Sequence, residues 1–280
     1  VQGRAWLWLY LYREGEWLGV EQPFLDFAKV RRPEIAYDDP GLSFAYRILE
    51  PLRRGHLRVQ SSARVLSGSR AGRVVPVTVE LEVTAIGAAH STGPGDQEGH
   101  SSETYDARRM EQPIVLDGQI QIGNEMLAFE GRGERDHSWG PRYWLLEWSF
   151  FALNGVERRL QCVEVRFPGD GTIAIGYTQV GRESDGVTQE IRDVSLEITR
   201  LDGLENAFAG RCDVVDESGK LFGFTFEAIA AHEMDLSHVL EPSPPRSVYR
   251  RALIRAIPED GSAPLIGWLE DHVMPDGVAR

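Results

Sequence analysis

The stretch "VTVELEVT" (residues 77–84) alternates apolar and polar residues without interruption. Its valines and its leucine fall on one side of an extended chain, and its threonines and glutamates fall on the other. Such a period of two is typical of a β-strand with one buried face. The segment "LFGFTFEAIA" (residues 221–230) repeats the pattern with three phenylalanines on one side. Turn signals such as Gly123-Asn124 separate many segments of this kind, which predicts an all-β chain of antiparallel strands.

The opening segment "AWLWLYLY" (residues 5–12) indicates more than one layer of sheet. Its leucines lie on one side and its tryptophans and tyrosines on the other, so both sides are apolar. A strand that is apolar on both faces is covered on both faces. The chain has 280 residues, enough for two domains. We therefore predict two antiparallel β-units, an N-terminal unit at residues 1–135 and a C-terminal unit at residues 136–280.

Two segments depart from the strand pattern. "EAIAAHEMDLSHVL" (residues 227–240) is the best candidate for a helix, although its start overlaps a strand pattern. Residues 88–113 have the composition of a long loop, rich in glycine, serine and acidic residues. Loops of this length are usually functional lids or disordered connectors, and we expect one of the two.

Composition excludes several classes of function. The net charge of −13 argues against a nucleic-acid partner, because affinity for phosphate backbones comes mainly from basic patches. No run approaches the roughly 18 apolar residues of a membrane-spanning helix, so we expect no transmembrane segment. Cys162 and Cys212 are too few for a disulfide framework and lack metal-ligand spacing. We expect free thiols in a cytoplasmic protein, with no metal and no cofactor.

The run "GRGERDHSWGPRYW" (residues 131–144) concentrates glycine, aromatic and charged residues. Its start resembles a dinucleotide-binding fingerprint, but Asp136 replaces the third glycine and no βαβ pattern surrounds it. Asp136 also occupies the first glycine position of a serine nucleophile elbow. A metal site built from His137, His232 and His238 would have an unfamiliar ligand spacing. These three interpretations are set aside.

Acid catalysis in an aromatic cavity is a better interpretation of this run. On a strand, alternation places Arg135, His137 and Trp139 on one face and Asp136 on the other. A protonated imidazole could donate a proton, and the indole could stabilise the resulting cation. Asp136 would pair with Arg135 or Arg142, and Arg142 is the expected partner. A structural interpretation also fits: a buried Asp–Arg pair, a core tryptophan and a histidine bonded to a backbone carbonyl.

The same run resembles the D-H-[NS]-W-G signature of the carotenoid hydratase (hydroxyneurosporene synthase)/AttH-like family of lipocalin-like proteins. It is most similar to an uncharacterised bacterial branch with a G-x-G-x-R-D-H-S-W-G run. Upstream segments at residues 77–86 and 108–131 extend the resemblance over roughly residues 75–150. One position departs from the pattern: Tyr143 stands where the bacterial branch usually has aspartate. A role of that aspartate in the bacterial branch therefore does not carry over to Tyr143.

The resemblance implies two lipocalin-like (calycin-type) antiparallel β-barrel units with a hydrophobic pocket between them. Relatives include hydratases of isoprenoid double bonds, tocopherol-cyclase-like enzymes and enzymes that close rings by pericyclic reactions. The implied function is a cofactor-independent lyase or isomerase, acting on an isoprenoid or aromatic polyketide-like substrate. The reaction would be acid-assisted hydration, isomerisation or cyclisation. We accordingly favour an enzyme, a hydro-lyase or an isomerase/cyclase.

Candidate site residues follow from these two lines of reasoning. Proton transfer is assigned to His137 or Asp136, and cation stabilisation is assigned to Trp139. The remaining candidates would bind substrate, either beside the central run or on strands that could face the pocket. These substrate-binding candidates are Arg135, Arg142, Tyr177, Glu111, Trp268 and Glu270.

A carrier protein for a lipophilic small molecule is the main alternative, because a barrel fold does not by itself decide function. Titratable groups that converge on the pocket would favour an enzyme. An apolar lining, with His137 and Asp136 bonded away from it, would favour a carrier. An interaction scaffold with a collapsed pocket is a third interpretation. The expected partner is a hydrophobic small molecule, and a homodimer is left open.

Overall fold

The structure is a computed structural model that describes residues 4–26, 29–31, 34–92, 108–139, 146–167, 171–181, 186–200, 208–235 and 247–274. Regular structure in these ranges consists of seventeen β-strands. No α-helix occurs in them, and hence none that is long and apolar enough to cross a membrane. The predicted all-β class is confirmed.

Nine strands form one antiparallel sheet. Its order is β1-β2-β5-β6-β8-β7, and in addition β4 pairs with β5, β3 with β4, and β9 with β8. The strands are β1 (Arg4–Arg13), β2 (Glu16–Asp26), β3 (Ile35–Asp39), β4 (Leu42–Glu50), β5 (Arg54–Val65), β6 (Val74–Ala85), β7 (His90–Thr92), β8 (Arg108–Ile122) and β9 (Glu125–Trp139).

The other eight strands close into an antiparallel barrel in which each strand pairs with the next and the last pairs with the first. They are β10 (Glu147–Asn154), β11 (Arg158–Phe167), β12 (Gly171–Val180), β13 (Val187–Arg200), β14 (Phe208–Asp216), β15 (Leu221–Asp235), β16 (Val248–Pro258) and β17 (Leu265–Val273). Closure leaves this sheet without an edge strand.

The chain divides into two compact units. The first comprises residues 1–86 and 114–132, and the second comprises residues 87–113 and 133–280. The first part of β8 and the last part of β9 therefore belong to the same unit as the barrel. Two antiparallel β-units in one chain are as predicted, whereas a boundary at residue 135 stays a prediction.

Alternation builds the core of the first unit. Val77, Val79 and Leu81 on β6 are at most 5% exposed and join one apolar cluster, as the opening stretch predicts. The leucines of β1 pack against the same cluster. On the other face of β1, the ring of Tyr10 stacks on that of Trp17, with centroids 5.8 Å apart. Both faces of the first strand thus make apolar contacts.

The barrel has an apolar interior to which all eight strands contribute. Phe151, Cys162, Phe224 and Leu269 are among its members, and each is at most 1% exposed. Both cysteines are free and buried, as expected, and burial raises their thiol pKa values. Because side chains alternate along a strand, the neighbours of these residues face outward.

The helix expected at residues 227–240 is wrong for residues 227–235, which continue β15, and the remainder lies outside the described residues. The cause is a register shift between Ala228 and Ala230 where β15 pairs with β16. The additional residue, Ile229, displaces the two-residue period by one. Apolar residues on either side of the shift therefore imitate a helical spacing.

The loop expected at residues 88–113 is wrong at both ends. His90, Ser91 and Thr92 form β7 and pair with Glu111, Met110 and Arg109 of β8. Residues 93–107 lie outside the described residues, so the expectation of a lid or connector stays a prediction there. Glu111 therefore lies in regular structure, as the register partner of His90.

Candidate functional site

A polar cluster lies on the outer face of the barrel where β11 and β12 pair. Gln161 on β11 and Tyr177 on β12 are register partners, and they are 0% and 2% exposed. Their neighbours Cys162 and Leu160 belong to the barrel interior, so alternation turns Gln161 outward, and its partner Tyr177 with it. Each of the two side chains bonds a carboxyl group.

Gly176 allows the two strands to approach closely at this point. Its φ is +150°, and a Cβ atom there would lie 2.1 Å from the backbone oxygen of Gln161. Any larger residue would push the strands apart. The glycine therefore keeps Gln161 and Tyr177 close together.

Glu111 carries the first carboxyl group, and it is fully buried. Gln161 Nε2 donates to its Oε1 at 3.0 Å, and Arg109 Nε donates to the same oxygen at 2.7 Å. Burial raises the pKa of Glu111 to about 7, although the charge of Arg109 acts to lower it. Glu111 therefore changes its protonation state near neutral pH.

Glu134 carries the second carboxyl group. The Tyr177 hydroxyl donates to Glu134 Oε1 at 2.8 Å. Burial raises the pKa of Glu134 to about 8; the Tyr177 bond lowers it and the charge of Glu111 raises it further. Burial and the nearby Glu134 charge raise the pKa of the Tyr177 phenol, which keeps it a neutral donor. Two carboxyl groups that titrate near neutral pH thus contact one pair of facing residues.

Two acceptor atoms of this cluster are buried and make no hydrogen bond to the described residues: Glu111 Oε2 and Gln161 Oε1. An ionised carboxylate oxygen and an amide oxygen can only accept. A proton on Glu111 Oε2 would supply a donor and would also remove a buried charge. The arrangement therefore fits a protonated, neutral Glu111.

An apolar strip borders the cluster on the same outer face. Phe150, Val163 and Ile175 form one row of register partners across β10, β11 and β12. The row lies two residues along β11 and β12 from Gln161 and Tyr177. The central carbon of the Arg109 guanidinium lies 5.5 Å from the centre of the Phe150 ring. The site thus combines titratable carboxyl groups with an apolar wall.

The central run presents two different faces. Asp136 accepts a bond from Arg109 Nη2 at 2.9 Å, and its side chain is 37% exposed. Its partner is therefore Arg109, while the expected partner Arg142 lies outside the described residues. His137 and Trp139 stack with ring centres 5.1 Å apart, but both are exposed. The water-poor wall expected from these two rings is not present among the described residues, and their catalytic roles stay a prediction.

Three of the expected substrate-binding residues lie elsewhere around the cluster. Arg135 donates to Gln112, which in turn donates to the backbone oxygen of Gly87 at 2.9 Å. On β17, Trp268 Nε1 donates to Glu270 Oε1 at 3.0 Å. Trp268 is the register partner of Ala152, which is itself the partner of Gln161. Trp268 and Glu270 therefore share the outer face with the cluster, two strands away from Gln161.

Sequence reasoning missed Glu134 and Gln161. Glu134 lies two residues before Asp136, so both are on the face of β9 opposite to His137 and Trp139. The two-residue period was the signal that could have found Glu134. Gln161 carries no signal in the sequence, because its role depends on the residue that faces it across the sheet. Glu111 and Tyr177 were named as candidates, and the structure brings them together with the two missed residues.

Comparisons with known proteins place the chain in a family. Comparison with curated proteins returns no significant match. Among solved structures, the chain is similar to the crystal structure of kievitone hydratase from Nectria haematococca, with 12% identity and a TM-score of 0.42, over 93% of this chain and 85% of that chain. A superposition this loose defines neither a shared fold nor a shared reaction. A family model described as "Domain of unknown function (DUF7064)" matches residues 1–270, and the chain therefore belongs to the DUF7064 family.

Proposed function

We propose that the chain is a cofactor-independent lyase or isomerase that hydrates, isomerises or cyclises a hydrophobic, isoprenoid or aromatic polyketide-like substrate, with Glu134 as the proton-transferring residue. One observation carries the proposal. Two carboxyl groups with pKa values of about 7 and about 8 contact the facing residues Gln161 and Tyr177. Strongly shifted carboxyl groups that cluster in this way are typical of acid–base catalysis.

Glu134 is the better placed of the two acids. It is partly exposed, whereas Glu111 is fully buried. Tyr177 donates to Glu134 Oε1, which leaves Oε2 to carry the transferable proton. Burial raises the pKa of Glu134 to about 8 and so keeps it protonated at neutral pH. Glu111 bonds Gln161, the register partner of Tyr177, and is a positioning residue in the proposal.

The reaction follows from one proton transfer. The π electrons of the alkene form a C–H bond with the Glu134 proton, and a carbocation and the Glu134 carboxylate result. In hydration, water adds to the cation and returns a proton to Glu134. In isomerisation, the cation loses a different proton to the Glu134 carboxylate. In cyclisation, an internal hydroxyl or alkene adds to the cation, and the cyclic cation then gives a proton back to Glu134. The apolar row of Phe150, Val163 and Ile175 would hold the hydrocarbon and exclude water.

The resemblance of the D-H-S-W-G run to carotenoid hydratases supports the same reaction class, with His137 as the alternative acid. Glu111 and Glu134 both contact the facing pair Gln161 and Tyr177, and this convergence of titratable groups supports an enzyme over a carrier. The bond between Asp136 and Arg109 instead fits a structural role for Asp136. Glu134 and His137 can be separated by substitution because they lie on opposite faces of β9.

Isotope incorporation across a panel of candidate substrates tests the proposal. The purified protein is incubated with isoprenoid and aromatic polyketide-like alkenes in H₂¹⁸O and, separately, in D₂O. Hydration introduces both ¹⁸O and deuterium, while isomerisation or cyclisation introduces deuterium alone. An alkene that remains bound in native mass spectrometry without gaining either isotope would identify a carrier and overturn the proposal.

Substitutions then assign the acid. We expect Glu134→Gln to lower turnover by about 10²- to 10⁴-fold, because general acid catalysis contributes this much. Glu130→Gln, an exposed glutamate on the same strand and the same face, is the matched control and should leave turnover unchanged. Loss of turnover in His137→Ala with full activity in Glu134→Gln would transfer the role to His137.

A further inference from the structure

A cavity of about 270 Å³ lies at one end of the barrel, beside the turn that joins β14 to β15. We call it the rim cavity. It is slightly smaller than the sites of drug-sized ligands, so the ligand that it fits is small. None of its lining residues belongs to the polar cluster on the outer face, and the rim cavity is therefore a separate site.

The lining of the rim cavity faces the barrel interior. Val214 and Phe222 belong to the interior cluster. Arg158 lies two residues before Leu160 of the same cluster, so alternation turns Arg158 inward together with its register partner Val180. The rim cavity is thus a part of the mouth of the barrel, and the packed interior is its floor.

Apolar side chains at this mouth are incompletely covered. Val180 and Val187 are register partners on β12 and β13, and they are 45% and 63% exposed. By contrast, Val214 and Phe222 are at most 9% exposed. Both valines line the cavity, so a ligand that covers them gains affinity from the burial of apolar surface.

Arg158 covers the neighbouring part of the mouth. The central carbon of its guanidinium lies 4.2 Å from the centre of the Phe222 ring. Its Nη1 donates at 2.7 Å to Oδ2 of Asp260, which lies in the turn that joins β16 to β17. The ring contact and the ion pair together hold the guanidinium in place. The part of the mouth that stays open lies beside the exposed Val180 and Val187.

Asp216 supplies a negative charge in the lining. Its Oδ1 accepts from the Ser218 hydroxyl at 2.6 Å and from the backbone nitrogen of Lys220 at 2.9 Å. Burial acts to raise the pKa of Asp216, but these hydrogen bonds outweigh it and lower the pKa below its ordinary value. Both bonds end on Oδ1, which leaves Oδ2 to accept from a ligand.

Lys220 supplies a positive charge beside Asp216. Its side chain is exposed and lines the cavity, and its ammonium group is not engaged in an ion pair with any residue that the structure describes. Arg158 and Asp260 already form an ion pair, so the four charges at this mouth sum to zero. Such a mouth favours neither a simple anion nor a simple cation. It fits a ligand that carries one charge of each sign.

We propose that the rim cavity binds a free amino acid with an aliphatic side chain, in its zwitterionic form. The ammonium group of the ligand donates to Asp216 Oδ2, and the carboxylate of the ligand accepts from the Lys220 ammonium. The aliphatic side chain packs against Val180, Val187 and Phe222. Two charge-assisted hydrogen bonds and the burial of apolar surface then act together.

Four ligands that differ by one group test the proposal. They are L-leucine, isocaproate, which lacks the ammonium group, isoamylamine, which lacks the carboxylate, and glycine, which lacks the side chain. Titration calorimetry of the full chain at neutral pH and constant ionic strength should give L-leucine an affinity at least ten-fold higher than that of each other ligand. The reason is that each of the others omits one of the three contacts, and a charged group of the protein then stays unpaired or apolar surface stays exposed. Absence of L-leucine binding, or an analogue that binds as tightly, would overturn the proposal.

Variants locate the site. Lys220→Gln keeps an exposed polar side chain and should bind L-leucine no more tightly than isoamylamine. Asp216→Asn keeps an oxygen that accepts from Ser218, and it should bind L-leucine no more tightly than isocaproate. Glu217→Gln is the matched control, because Glu217 is exposed in the same turn and does not line the cavity. It should bind L-leucine as the unmodified protein does.

Thermal unfolding of each variant shows whether it is folded. Should Asp216→Asn unfold, Lys220→Gln decides, because the Lys220 ammonium is outside every ion pair among the described residues. An unchanged preference of Lys220→Gln for L-leucine over isoamylamine would overturn the proposal. Glu134→Gln, on the outer face, should bind L-leucine normally, and weaker binding by Glu134→Gln or Glu217→Gln would place the amino acid outside the rim cavity.

Discussion

Two sets of carboxyl groups lie on opposite faces of the same barrel wall, yet they are held differently. The outer cluster is the site of Glu111, Glu134, Gln161 and Tyr177. The interior row consists of successive register partners across β15, β16, β17, β10 and β11, which are Glu233, Arg250, Asp271, Ser149 and Glu164.

On the outside, Glu134 contacts the neutral hydroxyl of Tyr177, and Glu111 shares the single charge of Arg109 with Asp136. On the inside, the guanidinium of Arg250 bonds both Glu233 and Asp271. Glu134 thus bonds a neutral group, while most inner carboxyl groups are ion-paired.

This difference decides what each region can do. A buried carboxyl group with neutral partners takes up a proton readily, because the neutral form avoids the cost of burying a charge. A buried carboxyl group that is bonded to a guanidinium stays charged and contributes a fixed contact. The outer cluster is therefore suited to proton transfer. The interior row is suited to holding the shape of the barrel wall.

The largest effect is expected from breaking the interior row. Arg250→Ala should lower the free energy of unfolding by about 3–5 kcal/mol, because Asp271 and Glu233 lose a buried partner. Arg211 is the matched control, since it also bonds two carboxylates, Asp213 and Glu259, but at the surface of the same barrel. Arg211→Ala should cost much less than Arg250→Ala, because solvent screens exposed ion pairs. Urea unfolding of both variants gives the comparison, and equal losses would mean that the interior row is not energetically distinct.

The next effect concerns pH and the outer cluster. The pKa of Glu111 is raised from its ordinary 4.5 to about 7, so its neutral form is favoured by folding. The contribution of protonated Glu111 to the free energy of unfolding is therefore fully present below pH 4.5 and is lost as pH rises through 7. The loss should reach about 3 kcal/mol. Urea unfolding between pH 4 and 8.5 should show that the free energy of unfolding declines. Glu111→Gln should remove the part of this decline that Glu111 causes. An identical slope in Glu111→Gln would show that Glu111 is not protonated in the folded chain.

The smallest effect is expected at the surface of β9. His137→Ala removes an exposed ring that stacks on Trp139, and the free energy of unfolding should change by no more than about 0.5 kcal/mol. Thermal unfolding measures this change, and Ser138→Ala on the same strand serves as the control. A loss above about 2 kcal/mol would show that His137 is packed more tightly than its exposure indicates.

Much of the fold could be predicted from the chain. The alternation at residues 77–84 predicted a strand with its valines buried, and these residues lie in β6 with that burial. Errors arose where the period was interrupted. The register shift at Ala228 and Ala230 imitated a helix, and the polar composition of residues 88–113 concealed β7. Local patterns report the faces of a regular strand, but they are not reliable where a bulge or a short strand breaks the repeat.

The site could be predicted only in part. Glu111 and Tyr177 were recognised as candidates, but the residues that give them chemistry, Gln161 and Glu134, are 50 and 43 positions away from them in the chain. Their meeting depends on the register of β11 with β12 and on where β8 and β9 lie. Neither is encoded in a short motif.

The sequence by itself determined an all-β chain with two antiparallel units, because a period of two needs only local residues to be read. It also determined which residues of the central run share a face. The tertiary structure alone decided which face is buried, that Arg109 is the partner of Asp136, and that Glu111 and Glu134 titrate near neutral pH. The physical reason is that the pKa of a group depends on the water it loses and the charges it meets, and both are supplied by residues distant in the chain.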